Sequence, residues 1–273
     1  MSANSWSARV ALLATLVLTY LVLSATGSLI FAITGVGRFD VAVGMVVPVS
    51  MLFGGVGIAA SVVAILIRDM LAGVVGTHTA VVGLAHCFGG YVSYRLATSG
   101  TVTLPRDSRG IALWLTQYLA IAVIAGLAIA AVIGWGSQLF GLAPYFLALG
   151  VARQYVLMNV LFGAPLLVLL LIALSHIQAI TSEPRLTALS RMHVGAIIVA
   201  WFVLGSIGSI GYYNLSRIPA WALHDAGIGM LAPLGAIEWV GPGAVHAQTV
   251  LAAIACTALV LVHRSNRERG ASL

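Results

Sequence analysis

The side chains best suited to chemistry stand in one stretch of otherwise apolar sequence, between Asp40 and Leu96. An Arg68–Asp69 pair ends a long apolar run, and His78 and His86 follow in a Gly-rich segment. Ionisable groups are costly in hydrocarbon, so within apolar sequence they usually face a protein interior or a cavity. We therefore predict that this stretch lines a ligand site and that Arg68 or Asp69 contacts a polar ligand. The alternative is an interfacial ion pair that caps a helix.

The spacing of the two histidines argues against a metal site. Eight residues of helix would place His78 and His86 about 80° and about 12 Å apart, whereas a Zn–N bond is only about 2.0–2.1 Å long. We expect both histidines to contact a ligand instead. For His78, which stands between Thr77 and Thr79, the alternative is a helix start where a threonine caps the helix and the histidine lies at the membrane interface.

A further polar position lies in a later apolar run. Asn159 stands four residues before Gly163-Ala164-Pro165. A buried amide either reaches a bound ligand or hydrogen-bonds a neighbouring helix, which contributes about 1–2 kcal/mol at most. No catalytic residue, metal or cofactor is predicted. The predicted ligand-binding residues are Arg68, Asp69, His78, His86 and Asn159.

Other groups carry weaker chemical signals. A small-residue face is explained by close helix packing; it consists of Gly205, Ser206, Gly208, Ser209 and Gly211. The side-chain types of a second group suit a metal, but their spacing matches no established ligand pattern; it consists of His224, Asp225, Glu238 and His246. The chain contains no HExxH, GxSxG or GxxxxGK[ST] motif, so ATP hydrolysis would have to come from another chain.

The composition requires a membrane environment. The 273-residue chain is 61% hydrophobic and 7% charged, which leaves more apolar surface than a soluble domain of this size can bury. Long apolar runs without alternation predict an all-α helical bundle rather than a closed barrel. All thirteen basic residues are arginine, so a retinal Schiff base, which needs a lysine, is excluded. Because the arginines stand mostly between apolar runs, the net charge of +6 requires no nucleic-acid partner.

About 20 helical residues cross a hydrocarbon core of roughly 30 Å. We therefore predict one transmembrane domain, 1–273, with about seven spans (six to eight). Pro48 and the Gly54–Gly55 pair predict a bend or break in the second span, which is either one helix or two. Most arginines fall on the side of the C-terminus, which predicts a cytoplasmic C-terminus. The spans lie near 9–33, 41–67, 71–97, 111–134, 146–175, 192–213 and 244–263.

Three segments within 41–175 carry a resemblance to known proteins: GGVGIAASVVAILIRDMLAG, GLAHCFGGYVSYRL and YVLMNVLFGAPLLVLLL. They resemble the substrate-binding membrane subunits of energy-coupling-factor vitamin transporters and the related membrane-associated sensor domains of bacterial signalling proteins. The resemblance implies a helical bundle whose small-molecule site faces the outer side, with Asp69, His86 and Asn159 at the recurrent polar positions. The chain differs from the first group by two extra spans within 192–273, and from the second by having no kinase or cyclase domain.

The predicted function is a membrane-embedded, small-molecule-binding component of a transporter in the cell membrane. Its expected partners are membrane lipids, a small-molecule ligand, and the membrane and ATPase subunits that supply energy. One alternative is a ligand-sensing or regulatory membrane module without transport activity. Another is a membrane-bound enzyme of lipid or carotenoid metabolism that uses His78, His86 or the later acid and histidine group.

Overall fold

The computed structural model describes residues 3–34, 40–97, 105, 107–173, 188–212 and 244–271. Within these ranges the regular elements are helices and no strand is present, which confirms the predicted all-α class. Nine α-helices follow one another along these parts of the chain: α1 (Ala3–Thr34), α2 (Val46–Phe53), α3 (Gly55–Leu71), α4 (Thr77–Leu96), α5 (Ser108–Leu139), α6 (Ala148–Met158), α7 (Ala164–Ala173), α8 (Ala188–Tyr212) and α9 (Ala244–Ala271).

Four helical stretches in the described ranges are long and apolar enough to cross a membrane. They are Trp6–Leu29, Ser108–Leu139, Tyr145–Ala173 and Ser190–Ile210. Two apolar helices are shorter, Val41–Phe53 and Gln248–His263. The second predicted span is divided into α2 and α3. α2 has only 8 residues, which rise about 12 Å, less than half the thickness of the hydrocarbon core. The helical membrane character is thus supported, while the number of seven crossings stays a prediction.

Large apolar side chains cover much of the outer surface of these helices. Leu71, Met192 and Leu18 are exposed by 80%, 73% and 63%. Large contiguous apolar surfaces are rare on soluble monomers and mark sites that contact a membrane or another protein. Lipid acyl chains are the surroundings that suit these helices, in agreement with the composition.

The chain contains two compact units. Unit 1 consists of Met1–Ala125 and Gln154–Arg185, and unit 2 consists of Gly126–Arg153 and Leu186–Leu273. All the predicted ligand-binding residues belong to unit 1. Unit 1 also contains a groove of about 330 Å³ between α1 and α3, lined by apolar side chains only and by none of the predicted ligand-binding residues.

The break between α2 and α3 lies at Gly54, within the predicted bend. Gly54 has φ 54° and ψ −127°, a backbone conformation that residues other than glycine rarely adopt. Its N–H still donates to the Ser50 carbonyl at 3.0 Å, and its carbonyl accepts from the Ile58 N–H at 3.0 Å. The chain therefore turns sharply at a residue whose own N–H and carbonyl both remain hydrogen-bonded. The second predicted span is two helices.

A π-helical turn joins α6 to α7. It covers Asn159–Gly163 and precedes Pro165, which has no N–H to donate to the carbonyl four residues earlier. The Ala164 N–H bonds to the Asn159 carbonyl five residues earlier, which is the π-helical pattern. A 3₁₀ turn, Val41–Met45, precedes α2 and lies directly against this helix, because a Cβ on Gly44 would be 2.7 Å from the Met158 carbonyl oxygen. Only glycine permits this approach.

Candidate functional site

Four side chains form the acid–arginine cluster: Asp40 before the 3₁₀ turn Val41–Met45, Arg68 and Asp69 at the end of α3, and Thr79 at the start of α4. Arg68 bridges the two acids, with its Nη1 2.8 Å from Asp40 Oδ2 and its Nη2 2.9 Å from Asp69 Oδ1. Asp69 is 4% exposed, whereas the Asp40 and Arg68 side chains are 21% and 30% exposed. Two carboxylates and one guanidinium give the cluster a formal charge of −1.

Asp69 connects the end of α3 to the start of α4. Its Oδ2 accepts a hydrogen bond from Thr79 Oγ1 at 2.7 Å, and the same hydroxyl oxygen accepts from the Gly76 N–H at 3.2 Å. Thr79 thus satisfies a backbone N–H that would otherwise be unpaired at the helix start. The acid is both an ion-pair partner and part of a helix cap.

Deeper in unit 1, four buried side chains form the aromatic–histidine cluster: Tyr20, His86, Tyr155 and Asn159. Their exposed fractions are 1%, 0%, 5% and 0%. His86 Nε2 lies 2.5 Å from the Tyr155 hydroxyl oxygen. The His86 ring makes edge contacts with Tyr155 and Tyr20, with centroid distances of 5.5 Å and 6.3 Å. The cluster therefore joins α1, α4 and α6.

Asn159 connects this cluster to the surrounding backbone. Its Nδ2 donates to the Tyr155 carbonyl at 2.8 Å and to the Val43 carbonyl at 3.4 Å. The backbone carbonyl of Asn159 accepts from the Tyr118 hydroxyl at 2.8 Å. The two bonds from Nδ2 hold the side-chain amide at one orientation, and its Oδ1 is directed elsewhere.

Three polar atoms of the cluster have no hydrogen-bond partner among the described residues. They are Tyr20 OH, His86 Nδ1 and Asn159 Oδ1. Buried polar groups are nearly always paired, and each unpaired one costs about 1–3 kcal/mol. His86 contacts the rings of Tyr20 and Tyr155, and Asn159 bonds to the Tyr155 backbone carbonyl. Unit 1 therefore contains unused hydrogen-bonding capacity within one buried cluster of residues.

The charged acid–arginine cluster lies near enough to the neutral aromatic–histidine cluster to act on it electrostatically. Asp40 and Arg68 act electrostatically on the hydroxyls of Tyr20 and Tyr155, and Arg68 acts on His86. Such interactions are strong where water is excluded. The clusters consequently form one polar region inside unit 1, charged at one end and neutral at the other.

Four of the five predicted residues belong to this region. Arg68 and Asp69 lie in the acid–arginine cluster, and His86 and Asn159 lie in the aromatic–histidine cluster. His78 differs, because it is exposed in the first turn of α4. Its surroundings match the alternative of a helix start capped by a threonine. The role of these residues in ligand binding stays a prediction.

Tyr20, Tyr155 and Asp40 were not among the predicted site residues. Tyr155 stands four residues before Asn159, a spacing that places both on one face of a helix, so Tyr155 could have been predicted as a neighbour of Asn159. Asp40 is an acid directly before an apolar run, and its residue type could have marked it as a site residue. Tyr20 is a single tyrosine in an apolar run, and only tertiary structure brings it to His86.

No group of three or more metal-ligand side chains (His, Cys, Asp or Glu) comes together in the described part of the chain. His224, Asp225 and Glu238 lie outside the described residues, as does the side chain of His246. The geometry of unit 1 accordingly offers hydrogen bonds, aromatic surfaces and a nearby negative charge.

No protein-family model, curated protein or solved structure matches this chain.

Proposed function

We propose that unit 1 binds a small polar molecule and that the protein is the ligand-binding component of a membrane transporter, energised by partner subunits. The observation that carries this proposal is the set of three buried atoms without partners among the described residues: Tyr20 OH, His86 Nδ1 and Asn159 Oδ1. They come from α1, α4 and the π turn after α6, and their residues are linked through contacts of His86 with Tyr20 and Tyr155 and through the bond from Asn159 to the Tyr155 backbone carbonyl. A ligand that pairs with them would recover the cost of burying them.

The side chains define the chemistry of this ligand. Asn159 Oδ1 only accepts hydrogen bonds, so the ligand needs at least one donor. His86 Nδ1 donates if Nε2 accepts from Tyr155, and accepts if Nε2 donates, while the Tyr20 hydroxyl does both. Aromatic rings flank the site, and the nearby formal charge of −1 disfavours an anion. We expect a neutral or cationic molecule with a flat apolar part.

The membrane setting completes the proposal. Seven spans in the cell membrane, with a cytoplasmic C-terminus, would place unit 1 within the bilayer. The resemblance to substrate-binding transporter subunits supports two partners, a coupling membrane protein and an ATPase. A sensing or regulatory module with the same ligand site is the second candidate, because ligand binding alone does not distinguish it from transport.

Binding is tested by purifying the full chain in mild detergent and identifying small molecules released on denaturation by mass spectrometry. His86→Phe and Asn159→Leu each remove one proposed ligand contact, and His78→Gln is the matched control because His78 is exposed. We expect the wild type and H78Q to retain the same small molecule. H86F and N159L should bind it about tenfold more weakly, which corresponds to one lost hydrogen bond.

Equal retention by all four proteins, with normal elution on gel filtration, would contradict the proposed site. Cells that co-express the chain with candidate coupling and ATPase subunits then separate the two functions. Uptake of the labelled molecule, reduced in H86F and N159L, supports transport. Binding without uptake in these cells supports sensing.

A further inference from the structure

Unit 2 contains a second group of buried polar side chains, the Gly205 cluster, which consists of Gln138, Tyr145, Ser206 and Gln248 around Gly205. Their exposed fractions are 5%, 0%, 6% and 5% for the four side chains in that order. They come from α5, the 3₁₀ turn Tyr145–Leu147, α8 and α9. Tyr145 and Gln248 contact Gly205 itself, Gln138 bonds to the Tyr145 backbone, and Ser206 follows Gly205 in the chain. This cluster shares no residue with the proposed ligand site in unit 1.

Two of these side chains meet at Gly205. A Cβ on Gly205 would lie 2.6 Å from Tyr145 Cζ and 2.8 Å from the Tyr145 hydroxyl oxygen, so the phenol ring lies directly on the glycine. Gln248 Nε2 donates to the Gly205 carbonyl at 2.7 Å. The glycine therefore makes room for the tyrosine ring and also receives the glutamine amide.

The orientation of Gln138 is determined by its neighbours. Its Oε1 accepts from the Tyr145 N–H at 2.9 Å and from Ser209 Oγ at 3.4 Å. Ser209 Oγ in turn accepts from the Phe146 N–H at 3.1 Å. Since Oε1 is occupied by these donors, Gln138 Nε2 remains as a buried donor.

Four polar atoms of the cluster have no partner among the described residues: Gln138 Nε2, Tyr145 OH, Ser206 Oγ and Gln248 Oε1. Close packing of small residues explains why α8 carries glycine and serine, but it does not explain four unpaired atoms. Native proteins satisfy such groups with protein partners or with bound molecules. A bound molecule with hydrogen-bonding groups would account for the cluster.

We propose that the Gly205 cluster binds the hydroxyl group of a small uncharged molecule, either water or a short polyol. The four side chains carry no charge, so an ion would lack a compensating partner. A hydroxyl both donates and accepts, so its chemistry suits a donor such as Gln138 Nε2 and an acceptor such as Gln248 Oε1. The proposal is independent of ligand binding in unit 1.

The sign of a stability change tests occupancy. Tyr145→Phe and Ser206→Ala each delete one hydroxyl oxygen of the cluster, and the melting temperature of the full chain is measured in detergent micelles. If the cluster holds a bound hydroxyl, each variant should melt about 2–4 °C lower than the wild type. If the cluster is empty, deleting an unpaired buried hydroxyl should leave the melting temperature unchanged or raise it.

Added glycerol distinguishes a polyol site from a water site, and trehalose is the control for general stabilisation by osmolytes. A polyol site predicts that glycerol raises the melting temperature of the wild type more than that of Y145F and S206A, whereas trehalose acts equally on all three. A water site predicts lower melting temperatures for both variants with equal responses to both additives. Variants at least as stable as the wild type in every condition would overturn the proposal. Ser93→Ala, which removes a hydroxyl bonded to the Gly89 carbonyl of its own helix at 2.7 Å, should show no glycerol-specific effect.

Discussion

Asp40 and Asp69 share one guanidinium but differ in their surroundings. The side chain of Asp69 is 5% exposed and that of Asp40 is 21% exposed. A partly solvated carboxylate that loses its partner can be hydrated, whereas a buried one cannot. Arg68 is therefore more important to Asp69 than to Asp40, although the two N–O distances are nearly equal.

This difference predicts unequal costs for two substitutions. Arg68→Met should lower the free energy of unfolding by about 3–5 kcal/mol, because Asp69 is left buried without its countercharge. Asp40→Asn should cost at most about 1 kcal/mol, as for other solvated ion pairs. Denaturant unfolding in detergent micelles measures both values. Equal losses would show that burial does not determine the strength of this network.

Residue type predicted part of the site. Arg68, Asp69, His86 and Asn159 are conspicuous because each is polar within apolar sequence, and all four lie in the polar region of unit 1. His78 has the same residue type as His86 but lies exposed at a helix start. Residue type alone does not show which of the two histidines is buried. Their burial depends on their positions along α4, and therefore on the residue at which α4 begins.

At the scale of elements, glycines permit the close contacts of unit 1. The 3₁₀ turn before α2 lies against the π turn after α6, since a Cβ on Gly163 would be 2.6 Å from the Gly44 carbonyl oxygen. This contact brings the Val43 carbonyl to Asn159. By contrast, nothing lies within 4 Å of a Cβ on Gly55. Unit 1 thus contains glycines in close contact with a neighbouring backbone and at least one glycine with open space beside it.

We predict opposite results for two glycine substitutions in unit 1. Gly44→Ala should destabilise the protein by about 1–3 kcal/mol, because the new methyl group must displace a backbone carbonyl in a close-packed region. Gly55→Ala, the matched control at the start of α3, should be neutral or stabilise by up to about 1 kcal/mol. Melting temperatures in detergent measure both effects. A tolerated G44A would mean that the turn can move away from α6.

The elements were predictable where local chemistry determines them. The Gly54–Gly55 pair predicted the break between α2 and α3, and Gly54 carries it with a positive φ. Pro48 does not break the chain, because it lies in the first turn of α2, where its missing N–H costs little. The π turn was not predicted. Gly163 and Pro165 signal an irregularity, but the form it takes depends on close packing of the turn against Tyr118 and Gly44.

At the scale of the whole molecule, apolar composition and helix length carry the membrane assignment. Four stretches suffice for continuous crossings, and the remaining predicted spans coincide with shorter or more polar helices. Helix positions were predictable because long apolar runs favour helices in a bilayer. The number of crossings was not, because it depends on how α2, α3 and α4 sit in the membrane.

The distribution of arginines predicts the orientation of the C-terminus. A green fluorescent protein fused after Leu273 should fluoresce, because the positive-inside rule places this end in the cytoplasm. Alkaline phosphatase at the same position should be inactive, since it folds only outside the cytoplasm. The two fusions serve as controls for each other. An active phosphatase with a dark fluorescent fusion would reverse the predicted orientation.

The π turn makes the length of one helix as important as its composition. A π turn accommodates one extra residue, which offsets the faces of α6 and α7 by about 100°. Leu167 and Leu171, 0% and 9% exposed, point inward only with this offset. Deleting Val160 would hardly alter the hydropathy of the segment, yet it would rotate both leucines towards lipid. In this segment the number of residues determines which face of α7 points inward, and the polarity of those residues does not.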